Sequence, residues 1–232
     1  MKGEKKMNRV KVLALLSLVT MIPALYMIFL FAPTEKTQGN AQRIFYVHVP
    51  LAVIGAYGSA ILLFIGCLAF LITRNFRWDR FSATAAEMGV VFTTAQLLTA
   101  VMWAKPIWGV WYAFDSRGTL QLILLLIFIA YFMLRAYLPD REKRAKLCAV
   151  FGLLGMLDVP FNYLSIYLFR TQHPSPVVSP GGGGVDPDMA KTLAVSFIAM
   201  TLLYAYVFVK RLAVAKIEEE VDYLTQVVMA HE

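Results

Sequence analysis

Six long apolar runs limit what this chain can fold into. Each run is about 20 residues long, enough for a helix to cross a hydrocarbon core roughly 30 Å thick. None alternates apolar with polar residues, and a helix satisfies its own backbone hydrogen bonds in lipid, so each run predicts a membrane-spanning helix. The runs cover residues 12–31, 45–72, 83–102, 119–138, 147–169 and 190–209. With 59% hydrophobic and 16% charged residues, the chain is too apolar for a soluble domain. We predict an all-α fold, a single six-helix membrane domain over residues 1–232.

The basic residues predict the orientation of this bundle. The formal charge of +7 could suggest nucleic acid, but the 22 Lys and Arg residues are distributed by topology. Most precede the first run, separate the second from the third and the fourth from the fifth, or lie in the tail at 210–232. These segments share one side, which the positive-inside rule places in the cytoplasm together with both termini. The first run is longer than the apolar part of a signal peptide, and no small-x-small site follows it, so we expect it to be retained as a helix.

The opposite, external side collects the unusual residues. Segment 103–119, "WAKPIWGVWYAFDSRGT", is a tryptophan-rich loop between the third and fourth helices. Segment 170–189 is rich in glycine and proline, which predicts a mobile loop. His48, in "RIFYVHVP", and His173, in "YLFRTQHPSP", fall on this side at similar depth. His231, in the tail, receives no role.

Together these residue types suit a flat, apolar, metal-bearing ligand with acidic side groups. Aromatic rings cover its faces, imidazoles bind its metal from either side, and guanidinium groups bind its carboxylates. Haem b meets all three conditions. The candidate residues are the axial ligands His48 and His173; the aromatic platform Trp103, Trp108, Trp111, Tyr112 and Phe114; and, for the carboxylates, Arg43, Arg117 and Arg170. Asp115 would repel such carboxylates, so we expect it to hold Arg117 or a ring N–H in position. Taken singly, each feature also has a plainer explanation, since tryptophan and tyrosine are enriched at membrane interfaces.

Asp158 lies inside the fifth run, in "LDVPFN", at a depth where an acidic side chain is costly. A functional role is one explanation. The other is structural: Pro160 frees backbone groups at a kink, and Asp158 and Asn162 satisfy them.

The loop "WAKPIWGVWYAFDSRGT" resembles the WWD signature of haem-handling proteins. Nearly the whole chain resembles the cytochrome c maturation protein C family (CcmC, the haem exporter protein C), through "RIFYVHVP", "VPFNYLSIYLFRTQHPSP" and "DPDM" as well. Three positions depart from the family pattern: Tyr112 and Phe114 stand where tryptophan is usual, and Gly118 where leucine is usual.

The resemblance implies a multi-pass protein of the bacterial inner membrane that holds haem on the periplasmic side and presents it to a periplasmic haem chaperone. It implies His48 and His173 as axial ligands, an aromatic platform, and supporting roles for Arg43, Asp115 and Arg117. It further implies association with the membrane and ATPase subunits of an ABC transporter and with a small membrane subunit.

A second class of function also fits two histidines in a membrane bundle. This is a b-haem subunit of a quinol oxidoreductase, although such haems usually lie between helix interiors. The chain shows no nucleophile with a base, no zinc-type spacing and no phosphate-binding loop, so we expect no enzymatic activity and a separate ATPase.

Overall fold

In the part of the chain that the structure describes, six long helices form the bundle, which confirms the predicted spans. The computed structural model describes residues 2–169, 172–173 and 186–230, with side chains from residue 9 onward. Helix α1 is Lys2–Tyr26 and continues as a π-helical turn, Met27–Phe31. The others are α2 (Asn40–Thr73), α3 (Phe76–Trp108), α4 (Ser116–Tyr137), α5 (Arg141–Leu168) and α6 (Pro187–Met229). Arg170 and His231, together with most of the 170–189 segment, lie outside the described residues.

The core lies around α2 and α3, which pack along each other. Helix α2 also packs on α5, α3 on α4, and α1 on α6. Small residues allow the closest approaches. A Cβ added at Gly55 of α2 would lie 2.7 Å from the Phe92 side chain, and one at Gly89 of α3 would lie 2.4 Å from the Phe128 ring. Since lipid provides no hydrophobic drive between helices, such close packing is a main source of their association.

We call the end of the bundle with the α2–α3 and α4–α5 connections the basic end. There Arg135 of α4 forms a two-pronged ion pair with Asp79 of α3, at 2.6 and 3.1 Å. Both side chains are largely buried, at 18% and 6% exposure. Helix α6, roughly 65 Å long at 1.5 Å per residue, runs past this end. Its Arg211 binds both carboxylate oxygens of Glu87, at 2.8 and 2.7 Å. This ion pair holds α6 against α3 at the basic end.

Helix α5 is interrupted by a turn at Met156–Leu157, directly before Asp158. Pro160 therefore lies in the first turn of the second half, Asp158–Leu168, where a missing N–H costs little. The Asn162 side chain bonds other side chains rather than freed backbone groups. Asp158 is buried, and its Oδ2 has no hydrogen-bond partner among the described residues. A helix break, rather than a proline kink, thus brings these polar residues into the bundle.

Candidate functional site

The tryptophan-rich segment is built by a helix stop and a helix start. Helix α3 ends at Gly109, whose φ of 76° is left-handed and whose N–H bonds the Lys105 carbonyl at 3.1 Å. Helix α4 begins after Asp115, whose Oδ1 accepts from the Gly118 N–H at 2.9 Å as an N-cap. Only residues 109–115 are therefore non-helical, fewer than the predicted 103–119 loop. Phe114 has a φ of 48°, a conformation that costs a bulky residue about 1–3 kcal/mol.

A cavity of about 530 Å³ opens beside this segment, within the range of roughly 300–1,000 Å³ usual for ligand pockets. Its wall is mostly apolar and comes from α2, α3, α4, α5, α6 and the loop. The candidate residues that line it are His48, Trp103, Trp108, Trp111, Tyr112, Asp115, Arg117 and His173. Phe114 and Arg43 are not part of the wall. Most of the predicted set thus converges on one space.

His48 is buried, at 5% exposure, near the start of α2. Pro50 follows it, and the helix widens into a π-helical stretch, Leu51–Tyr57. Such stretches are frequent at functional sites. The His48 Nδ1 lies 2.9 Å from the Thr99 hydroxyl, and its Nε2 lies 3.3 Å from the Gln96 amide nitrogen. Both partners belong to α3, so two helices fix the ring.

His173 reaches the same cavity from beyond the end of α5. Its Nδ1 lies 2.8 Å from Oδ2 of Asp115, whose side chain is only 8% exposed. One carboxylate therefore caps α4 through one oxygen and holds His173 through the other. A ring nitrogen is one of the two partners predicted for Asp115. A carboxylate on Nδ1 is also the usual support for an imidazole that binds a metal through Nε2.

Each imidazole lies against an indole. The rings of His48 and Trp103 have centroids 5.6 Å apart, and so do those of His173 and Trp108. The Trp103 indole N–H donates to Gln38 at 3.1 Å, which fixes its orientation. Trp111 is 61% exposed, so it leaves aromatic surface at the cavity mouth.

Lys105 also acts on this mouth. Its ammonium group lies 5.5 Å from the centroid of the Trp111 ring and donates to the Gly109 carbonyl at 2.9 Å. The cation–π contact and the hydrogen bond together tie the exposed indole to the end of α3.

Tyr112 braces the loop from inside. Its hydroxyl donates to the Gly118 carbonyl at 2.6 Å, and its ring contacts Phe114 edge to face, with centroids 4.7 Å apart. Burial, and then the charge of Asp115, raise the pKa of the Tyr112 phenol above its usual value. The hydroxyl therefore stays a donor at neutral pH. Phe114 is 76% exposed and supports Tyr112 from outside the cavity.

The two described arginines of the candidate set have different positions. Arg117, in the first turn of α4, lines the cavity. Arg43 instead donates to the Ile28 carbonyl and, at 3.3 Å, to the Asn40 side chain. It thereby joins the start of α2 to the π-helical turn that follows α1. Its role toward a ligand carboxylate stays a prediction, because Arg43 does not line the cavity.

A chain of hydrogen bonds supports the inner wall. The Tyr57 hydroxyl donates to Oδ1 of Asn162 at 2.8 Å, and the Asn162 amide donates to Oε1 of Gln121 at 3.2 Å. Gln121 accepts in this chain through its Oε1, so the N–H groups on its Nε2 are not used by it. The Nε2 atom has no partner among the described residues. Gln121 lines the cavity one helical turn beyond Arg117, so two donor groups are adjacent on α4.

Gln96, Thr99, Tyr57 and Gln121 were not among the sequence candidates. One signal was available for the first two: Gln96, Thr99 and Trp103 follow at i, i+3 and i+7, which places them on one face of α3. The Tyr57–Asn162–Gln121 chain has no comparable signal, since its members come from three helices.

Comparisons with known proteins agree on one family. The profile described as Heme exporter protein C matches residues 4–226. Heme exporter protein C of Escherichia coli K12 is 32% identical over 203 residues, covering 86% of this chain and 80% of that protein. The protein of the same name from Bradyrhizobium diazoefficiens is 32% identical over 174 residues, covering 75% and 66%. A putative cytochrome c biosynthesis ccmC-like mitochondrial protein from Marchantia polymorpha is 30% identical over 186 residues, covering 80% and 78%.

The match over residues 4–226 spans nearly the whole chain and includes the loop that carries the cavity. This chain belongs to the Heme exporter protein C family.

Proposed function

We propose that this protein binds haem b in the cavity, with His48 and His173 as axial ligands, and presents it to a periplasmic haem chaperone during cytochrome c maturation. The observation that carries the proposal is that these two histidines, from helix α2 and from beyond α5, line one cavity. Their Nδ1 atoms are engaged by Thr99 and Asp115. The nitrogen that each would offer to a metal is therefore Nε2, and two such ligands would complete the six-coordination of a porphyrin iron.

The remaining wall fits the rest of the ligand. The indoles that contact the two imidazoles, with Trp111 at the mouth, supply aromatic surface for a flat ring system. Arg117 and the amide donor of Gln121 supply hydrogen bonds to carboxylates, which would otherwise be costly to bury. When bound, the iron supplies the redox-active metal centre. The residues of this chain hold it, exclude water and orient it.

The location of the cavity supports delivery on the outer side. The cavity lies at the opposite end of the helices from the basic end, where Arg74, Arg77 and Arg80 cluster. By the positive-inside rule the basic end is cytoplasmic, so the cavity faces the periplasm across the inner membrane. The role is one of transport and assembly rather than catalysis. The partners we propose are the chaperone, the membrane and ATPase subunits of an ABC transporter, and a small membrane subunit.

Haem titration tests the binding part. Purified protein in nanodiscs should bind one haem per chain, followed by its absorption band. His231→Ala is the matched control, since it removes the third imidazole and should leave the titration unchanged. Failure of the parent protein to bind haem, or a loss in His231→Ala equal to that in His48→Ala, would refute the proposal.

Cysteine labelling tests the location. In a background with the buried Cys67 and Cys148 replaced by alanine, a membrane-impermeant maleimide should label Gln172→Cys in right-side-out vesicles. It should label Arg77→Cys, an exposed position at the basic end, only after the membrane is broken. The reverse pattern would place the cavity in the cytoplasm and overturn the periplasmic role.

A further inference from the structure

The His48 imidazole is held at both ring nitrogens by one face of α3. Thr99 contacts Nδ1 and Gln96 contacts Nε2. Gln96 is itself 6% exposed and lines the cavity, and its Oε1 has no hydrogen-bond partner among the described residues. A buried amide with an unsatisfied oxygen is costly, so its position calls for a reason other than packing.

The protons in this cluster can be assigned from one hydroxyl. Thr99 Oγ1 lies 2.8 Å from the backbone carbonyl of Gln96, which can only accept, so the single hydroxyl proton points there. Thr99 can then only accept from His48, which places the ring proton on Nδ1. Nε2 therefore carries the lone pair, and the Gln96 amide N–H donates to it. The same tautomer presents Nε2 to a metal.

We infer that Gln96 is a positioning residue that covers the ligating nitrogen of His48 and releases it when a metal binds there. Without a metal, the Gln96 side-chain amide donates a hydrogen bond to Nε2 of His48 and keeps the imidazole turned toward the cavity. Thr99 fixes the proton on the other nitrogen and so keeps Nε2 ready. The inference rests on the proposed haem function for its second step, the release, and stands on the hydrogen bonds alone for its first.

Nitrogen NMR of ¹⁵N-histidine-labelled protein tests the first step without haem, with His48→Ala used to assign the resonances. The parent should show His48 protonated at Nδ1 and unprotonated at Nε2. Gln96→Leu, which has no donor, should keep that tautomer but move the Nε2 resonance toward that of an acceptor without a hydrogen bond. Gln96→Glu, of the same shape as glutamine, replaces the donor by an acceptor and should place a proton on Nε2. A parent spectrum with Nε2 protonated, or no change in either variant, would overturn the inference.

Haem titration of the same variants tests the release. Removing one neutral hydrogen bond that competes with the metal should tighten haem binding by about two- to tenfold in Gln96→Leu. Gln96→Glu should weaken binding, with its low-spin absorption reduced. Equal haem affinity in the parent and both variants would overturn the release step. Haem binding by none of the proteins would refute the proposed function, and the ¹⁵N spectra would still decide whether Gln96 fixes the tautomer.

Discussion

Asp115 links the loop to the site, and its removal should have two separable effects. Its Oδ1 caps α4 through the Gly118 N–H at 2.9 Å, and its Oδ2 holds Nδ1 of His173 at 2.8 Å. The side chain is 8% exposed, so solvent screens neither bond strongly. Asp115→Ala removes both bonds, whereas Asp115→Asn keeps an acceptor for the cap and removes the charge.

The expected magnitudes differ between the two effects. Loss of an N-cap costs about 1 kcal/mol of folding free energy. Loss of the partner that orients a metal-binding histidine lowers metal affinity by about 10- to 100-fold, which corresponds to roughly 1.4–2.7 kcal/mol. We therefore expect Asp115→Ala to weaken haem binding within that range and to lower the unfolding temperature modestly. Asp115→Asn should weaken haem binding less and leave the unfolding temperature close to that of the parent.

The matched control is Asp140→Ala. Asp140 caps α5 by accepting from the Lys143 N–H at 2.7 Å, at the basic end of the bundle. It should lower the unfolding temperature as Asp115→Ala does and leave haem affinity unchanged. The assay is haem titration by absorbance, with thermal unfolding of the same detergent-solubilised samples. Equal haem affinity in Asp115→Ala and Asp140→Ala would refute the role assigned to the Asp115–His173 pair.

Four further substitutions test other parts of the structure. Trp108→Ala should weaken haem retention more than Trp111→Ala, because Trp108 contacts His173, a proposed axial ligand, and Trp111 lies at the cavity mouth. Equal retention of haem on a desalting column by both variants and the parent would show that these residues serve only as interface anchors. Arg135→Ala should destabilise the fold by about 3–5 kcal/mol, because it leaves the Asp79 carboxylate buried without its partner; an unchanged denaturation midpoint would contradict this. Tyr112→Phe should cost about 1 kcal/mol of stability by removing a hydrogen bond to the first turn of α4, with the haem spectrum retained; a lost spectrum would show that the hydroxyl acts on the ligand itself.

Hydropathy was sufficient to predict the six spans, because each must bury about 20 apolar residues in lipid. The ends of the helices were harder to predict from hydropathy. The apolar run predicted that α3 stops at residue 102, where the tryptophan-rich segment begins, yet the helix continues through Pro106 to Trp108 and closes only at Gly109. A proline in the last turn is tolerated here, and the glycine, which alone adopts the left-handed turn without strain, sets the true end.

The candidate site was predictable where topology alone decided it. Four spans, α2 to α5, lie between His48 and His173. An even number of crossings predicts the same side for both residues, and both line one cavity. Their partners depended on packing between helices. The spacing of Gln96, Thr99 and Trp103 places them on one face of α3 but does not indicate which residue of another helix they contact. The contact between Asp115 and His173 joins residues 58 positions apart, and such a contact leaves no periodic pattern in the sequence.

Absorption spectra of haem-loaded protein, oxidised and reduced, test the central claim most directly. The parent should show a low-spin, six-coordinate haem. His48→Gly and His173→Gly should each lose that spectrum, and added imidazole, which can occupy the space left by the missing ring, should restore it. A low-spin spectrum unchanged in both variants would show that these two histidines do not bind the iron.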